Sequence, residues 1–303
     1  MLFTSILSLL LLFVSTALTS AFDDPNAGPP AGLFAAGPAF SLAALQSEVA
    51  KASKVALEAT YPINSGSNAP QVTIHSDWAD FSEGAAFVWV ADMDVDCDGL
   101  NFQCEGNQDG QAVTDFGALS AYAVPFIVIP NRFGVQYKGA LPGNNVAAVI
   151  CNGKMFYGIY GDTNGASPQA IGEASWLMAQ TCFPNDNLNG NRGHAETDVT
   201  YIVFTGNDAV LPGSALNEHY ITDFTTLRSM GDKLVHSLAK SLQLVAGSGK
   251  SDFTATTFST AVATTTATGS PCSWEGHCAD APCSIDDDCV DGLACEAGKC
   301  TSS

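Results

Sequence analysis

Residues 146–180 read VAAVICNGKMFYGIYGDTNGASPQAIGEASWLMAQ. Val146 to Cys151 and Met155 to Tyr160 are short apolar runs of strand character, and Gly161 to Pro168 is dense in turn formers. From Glu173 onward Ala, Ser, Trp, Leu, Met, Ala and Gln favour or accept a helix. The pattern therefore reads strand, turn, helix, with Asp162 at a strand exit and Glu173 in the first turn of a helix. Rigid elements joined by a tight loop can hold two acids at a fixed separation, which a flexible loop cannot. That is the requirement of paired general acid/base chemistry. Both residues also suit plain roles, Asp in turns and Glu at helix starts.

Outward from this stretch, further β-like runs occupy Gln71 to His75, Ala86 to Ala91, Phe126 to Pro130 and Val199 to Thr205. Six or so such runs spaced by Gly, Asn and Asp predict a β-rich α+β fold, a barrel of about six strands with flanking helices. Helices are expected from Phe40 to about Leu57 with Ser41 as cap, over Glu173 to Thr181, and over Asp223 to Leu244. In the last, Phe224, Leu227, Met230, Leu234, Leu238 and Leu242 recur at near-helical spacing, a core face.

The ends differ from this core. Residues 1–21 carry the apolar run LLLLFVSTAL and close on small residues, a signal peptide, so a secreted, extracellular protein is expected. Residues 22–37 are rich in Pro, Gly and Ala and are expected to be an ill-ordered leader. Residues 38–246 form the main domain. Residues 247–270 are mostly Ser, Thr, Ala and Gly and read as a linker. Residues 271–303 hold six cysteines in a module too small to fold without disulfides. Trp274 is its one aromatic, which leaves a carbohydrate-anchoring module and a plain disulfide knot both open.

Ten cysteines agree with an oxidising compartment. Four, Cys97, Cys104, Cys151 and Cys182, lie in the main domain, and even counts in both groups predict full pairing, with connectivity unreadable. The 31 acidic residues outnumber 11 basic ones, a net charge of -20, which disfavours nucleic-acid binding and attracts cations. No later segment is long and apolar enough to span a membrane, and a monomer is expected.

Asp94, Asp96, Asp98, Gly99 and Glu105 fit D-x-D-x-D-G-x5-E, the calcium-loop signature. The strand-like FVWVADM before it is wrong for an EF-hand. Three readings stay open: a Ca2+ loop of Asp94, Asp96, Asp98 and Glu105, an acidic wall for ammonium groups, or a solvated turn. Asp96 or Asp98 is also an alternative to Asp162 in the acid pair. Tyr157, Tyr160 and Trp176 either stack on sugar faces or fill the barrel. His194-Ala195-Glu196 lacks the P-C-x-x-C that would complete a deaminase zinc site.

The run YGIYGDTNG with IGEASW, together with WVADMDVDCDG upstream, PFIVIP, NNVAAVICNGK and ITDF, resembles the fungal chitosanases of glycoside hydrolase family 75. The resemblance spans roughly Ser76 to Leu244, in order. It implies an endo-acting, inverting hydrolase of the β-1,4 bonds of chitosan, with Asp162 and Glu173 as the essential pair and no cofactor. Asp94, Asp96, Asp98, Tyr160 and Asn164 are the expected substrate-binding residues, with Glu173 favoured as acid and Asp162 as base. A non-catalytic wall-binding protein and a hydrolase of another β-linked polysaccharide are the alternatives.

Overall fold

A computed structural model describes residues 24–245, 294–296 and 299–301. The signal peptide, the 247–270 linker and most of the six-cysteine module, including Trp274, lie outside the described residues.

The barrel is built from β3 (Ala86–Asp96), β4 (Phe126–Pro130), β5 (Val146–Cys151), β6 (Lys154–Asn164), β7 (Glu173–Ser175) and β8 (His194–Phe204). Their order around the ring is β3-β7-β4-β6-β5-β8, and a β3–β8 pairing closes it. Closure leaves these strands no free edge. Two more strands, β1 (Val55–Pro62) and β2 (Gln71–His75), form a hairpin attached to β3. β8 covers one edge of β3 from Ala86 to Met93, so β2 and the three-residue β7 share the other.

The apolar runs fill the core as their composition requires. Every residue of β4 and of β5 is buried, and each large apolar side chain so removed from water contributes about 1.5–3 kcal/mol. Helix α4 (Phe224–Ser241) is capped by Asp223, whose side chain accepts from Thr226 N, and its buried face carries Leu227, Gly231, Val235 and Leu238. Gly231 lets the helix approach the Tyr157 ring, where a Cβ would lie 2.5 Å from ring carbons. Cys97–Cys104 and Cys151–Cys182 are the two disulfides of this domain. In the tail, Ala294–Glu296 (β9) and Lys299–Thr301 (β10) form a hairpin that aligns Cys295 with Cys300, and Cys300 is disulfide-bonded.

Several boundaries differ from the sequence reading. Helix α1 (Leu42–Val49) starts at the expected Ser41 cap but stops well before Leu57, because the chain turns at residues 50–54 and re-enters as β1. Residues 24–37 are not a loose leader: Phe34 is fully buried and Phe34 O accepts from Tyr157 N at 2.7 Å. Pro25 O accepts from Trp176 Nε1 at 3.1 Å. Most consequential, Glu173 is not in a helix. Residues 173–175 are β7, and the helix that follows, α3 (Trp176–Cys182), begins after the cap Ser175. A further helix, α2 (Asn131–Gln136), follows β4 directly.

Candidate active site

One row across the sheet carries the acids. β3 runs parallel to β7 with Asp94 opposite Glu173, β7 runs antiparallel to β4 with Glu173 opposite Val128, and β4 runs parallel to β6 with Val128 opposite Asp162. Residues in register on neighbouring strands project to the same side, so Asp94, Glu173, Val128 and Asp162 share a face. Asp92 and Asp96 join it by the two-residue period of β3. The buried Met93, Val95 and Cys97 alternate with them along the chain.

Asp162 reaches this row through a bulge. Ile127 pairs with Tyr160 but Val128 pairs with Asp162, which makes Gly161 the extra residue. A Cβ there would stand 2.6 Å from Phe126 Cβ, so the position takes only glycine. Asp162 is therefore inside β6, which runs on to Asn164, and not at a strand exit. On the other side, Gly172 adopts φ +97° immediately before Glu173, and its missing Cβ leaves room for the Asp92 carboxyl.

The hydrogen bonds of the two acids differ. Asp162 Oδ1 accepts from the backbone N–H groups of Asp115 and Thr163 at 2.9 and 2.8 Å. Glu173 accepts from one side chain, Asn164 Nδ2, at 2.9 Å to Oε1 and 3.0 Å to Oε2. Asn164 is itself fixed, since its Oδ1 accepts from Ala166 N and Ala170 N, both at 3.1 Å. Asn164, expected to bind substrate, also holds Glu173 through these two bonds.

Burial raises every carboxyl of the row. Glu173 is pushed up to about 7 by burial first, with Asn164 pulling against it and Asp94, Asp162 and Asp98 repelling it. Burial also lifts Asp162 to about 7, opposed by the N–H groups of Asp115 and Thr163. Asp94 rises to about 6 by burial. Asp92 reaches about 8 through burial and then the Asp94 charge. Asp96 is held well above the usual carboxylate range by burial, then by Asp162 and Asp98, and burial also raises Asp98. Acids crowded in this way do not all ionise together, which lets one keep its proton near neutral pH while another has lost it.

A cleft of about 280 Å³ opens on the row, lined among others by Val95, Asp96, Asp98, Val128, Thr163 and Glu173. Oxygens of Asp96, Asp98 and Asp162 all lie within 4.8 Å of one another. The calcium-loop set is not what converges: Asp94 stands beside Glu173, Glu105 is exposed, and Cys97–Cys104 closes the loop. Tyr160 is 2% exposed, packed edge-on to Phe116 at 4.8 Å, so its ring is no platform for a sugar. Tyr157 is likewise interior, donating to Asp232 Oδ1 at 2.6 Å. Asp92, Asp115 and Thr163 were not singled out from sequence. Alternation along β3 could have flagged Asp92, while nothing local marks Asp115, some 47 residues before Asp162.

Endo-chitosanase C from Aspergillus oryzae is 60% identical over 305 residues, covering 99% of this chain and 79% of that protein. The sequence model of the family described as fungal chitosanase of glycosyl hydrolase group 75 matches residues 93–237. The chain belongs to this family. Endo-chitosanase B from Aspergillus oryzae is 41% identical over 194 residues, 54% of this chain and 80% of that protein. An endo-chitosanase from Aspergillus fumigatus is 40% identical over 181 residues, 51% of this chain and 74% of that protein. The protein is accordingly a glycoside hydrolase, and the family match begins at Met93 and takes in Asp94, Asp96, Asp98, Asp162, Asn164 and Glu173.

Proposed function

We propose that the protein is a secreted, monomeric endo-chitosanase that hydrolyses β-1,4 bonds between glucosamine units of chitosan with inversion. The observation that carries this reading is the register of Asp162 and Glu173 on either side of Val128. Two inter-strand spacings separate their α-carbons by roughly 9–10 Å, a frame suited to the ~6.5–9.5 Å carboxyl separation that leaves room for an attacking water.

Glu173 is the general acid and Asp162 the base. Two backbone N–H donors on Asp162 Oδ1 favour its ionised form. Glu173 lies on a strand, so no helix N-terminus stabilises its carboxylate, and burial keeps its proton available up to about 7. In the reaction Glu173 passes its proton to the leaving glycosidic oxygen, while Asp162 takes one from a water attacking the opposite face of the ring. Asp96 and Asp98, at the edge of the same cleft, face the ammonium groups of a polycationic substrate, and binding relieves their mutual repulsion.

Incubation with chitosan, chitin and cellulose, following viscosity and new reducing ends, tests the reading. Rapid loss of chitosan viscosity with few new ends supports it; binding without cleavage, or cleavage of cellulose or chitin instead, contradicts it.

A further inference from the structure

We propose that the depression at Tyr61 and Arg132 is a subsite for a neutral, N-acetylated sugar unit, so that the enzyme places an acetylated unit at one fixed distance from the bond it cuts. The inference rests on the chitosan reading above.

Three depressions adjoin one another. The acidic cleft shares Thr163 with a depression of about 230 Å³ that contains Asp115 and Lys138. It shares Ala166 with one of about 290 Å³ lined by Thr60, Tyr61, Pro62, Arg132, Pro168 and Gln169. An endo-acting enzyme needs such a run of subsites, and the charges along this one differ. The central cleft carries Asp96, Asp98, Asp109 and Glu173; the Asp115 depression balances one acid against one base; the third is lined by a guanidinium and by no carboxylate.

Arg132 is held there from several directions. Its backbone N–H donates to Gln169 Oε1 at 3.0 Å, its Nε lies 3.2 Å from Glu58 Oε2, and its guanidinium carbon is 5.5 Å from the Tyr61 ring centroid. Glu58 is not among the residues lining the depression. A glucosamine ammonium placed there meets a like charge, which interfaces avoid. An N-acetyl unit presents instead a neutral amide whose carbonyl accepts from guanidinium N–H groups, and a methyl group that fits the apolar faces of Pro62 and Pro168. The amide of Gln169 and the hydroxyl of Thr60 add neutral partners of the kind a sugar takes.

Digestion of fully deacetylated and partly acetylated chitosan, with mass-spectrometric sequencing of the products, tests the proposal. In wild-type digests the acetylated unit is enriched at one fixed position from the new end. Arg132→Glu abolishes that enrichment and shifts the ratio of kcat/KM for the two substrates about tenfold toward the deacetylated one. Arg132→Gln, which keeps hydrogen-bond donors without charge, retains part of the enrichment, and melting temperatures establish that both variants are folded. Acetylated units scattered at random in wild-type products, or enrichment that survives Arg132→Glu, overturns the subsite. Failure of the wild-type enzyme to cut either chitosan sinks the chitosanase reading itself, a different result from cutting without position preference.

Discussion

Asp162 and Glu173 stand opposite the same residue, Val128, from the two strands that flank it. The two acids are eleven residues apart in sequence, but their separation is set by β4 and not by the loop between them. The loop 165–172 instead borders the cleft and braces Asn164: Ala166 lines two depressions, and Ala166 N and Ala170 N donate to Asn164 Oδ1.

Asn164 touches Glu173 through both carboxylate oxygens, and its hydrogen bonds lower the Glu173 pKa against burial. Asn164→Ala is expected to cost about 10²-fold in kcat through loss of orientation. It also moves the alkaline limb of the pH–rate profile upward, because the acid then holds its proton more tightly. A downward move of that limb would assign the proton to the other acid.

The stereochemistry of the first product follows from the strand frame. Proton NMR during early digestion of chitosan should show the α-anomer first, from a β-linked substrate, with the β-anomer growing in by mutarotation. A β-anomer at first appearance would mean that the carboxyl groups close to the ~5–5.5 Å of a retaining enzyme.

The carboxyl row makes stability fall as pH rises. The unfolded chain releases these protons near the ordinary carboxylate values of 3.8 and 4.5, but the folded protein holds them to about 6 at Asp94, 7 at Glu173 and Asp162, and 8 at Asp92. Between about pH 4 and 8 the native state therefore binds more protons than the unfolded state, and the slope of stability with pH is negative. The melting temperature at pH 8 should lie below that at pH 5 by on the order of 5 °C. Asp92 is 3% exposed and its Oδ1 has no partner. Asp92→Asn should raise the melting temperature at pH 8 and leave it nearly unchanged at pH 5, whereas a wild-type protein more stable at pH 8 contradicts the assignment.

Cys151–Cys182 ties the end of β5 to the end of α3 across 31 residues. Replacing both by Ala should cost about 3–4 kcal/mol, since a loop of that length regains its entropy when unfolded. Calorimetry of the double variant checks this, and an unchanged melting temperature would show that the surrounding packing alone carries the junction.

Much of the barrel was legible in the chain. β4 and β5 occupy the expected residues because each is an apolar run bounded by turn formers or proline, and β2, in the hairpin beside the barrel, does so by alternating polar with apolar residues. Ser41 caps α1 as expected, and Asp223, the expected first residue of the last helix, is its N-cap. What was not legible depended on partners distant in sequence. Glu173-Ala174-Ser175 lead into a good helix, yet strands on both sides supply hydrogen bonds, so β7 forms against its local preference. β6 continues past Gly161 because the bulge absorbs a register change that only β4 reveals. The acids Asp94, Asp96, Asp162 and Glu173 were visible one by one, but their shared face is a property of four strands. The role of Asn164 as the holder of Glu173, and the burial of Tyr160, belong to the same class.

The central claim is that Asp162 and Glu173, held across Val128, perform the hydrolysis. Rates of chitosan cleavage by Asp162→Asn and Glu173→Gln, both near-isosteric, test it most directly. Each should fall by about 10²–10⁴-fold, the contribution of a positioned acid or base, with folding and chitosan binding retained. Activity within a few-fold of wild type in either variant would contradict the account and move the chemistry to Asp96 or Asp98.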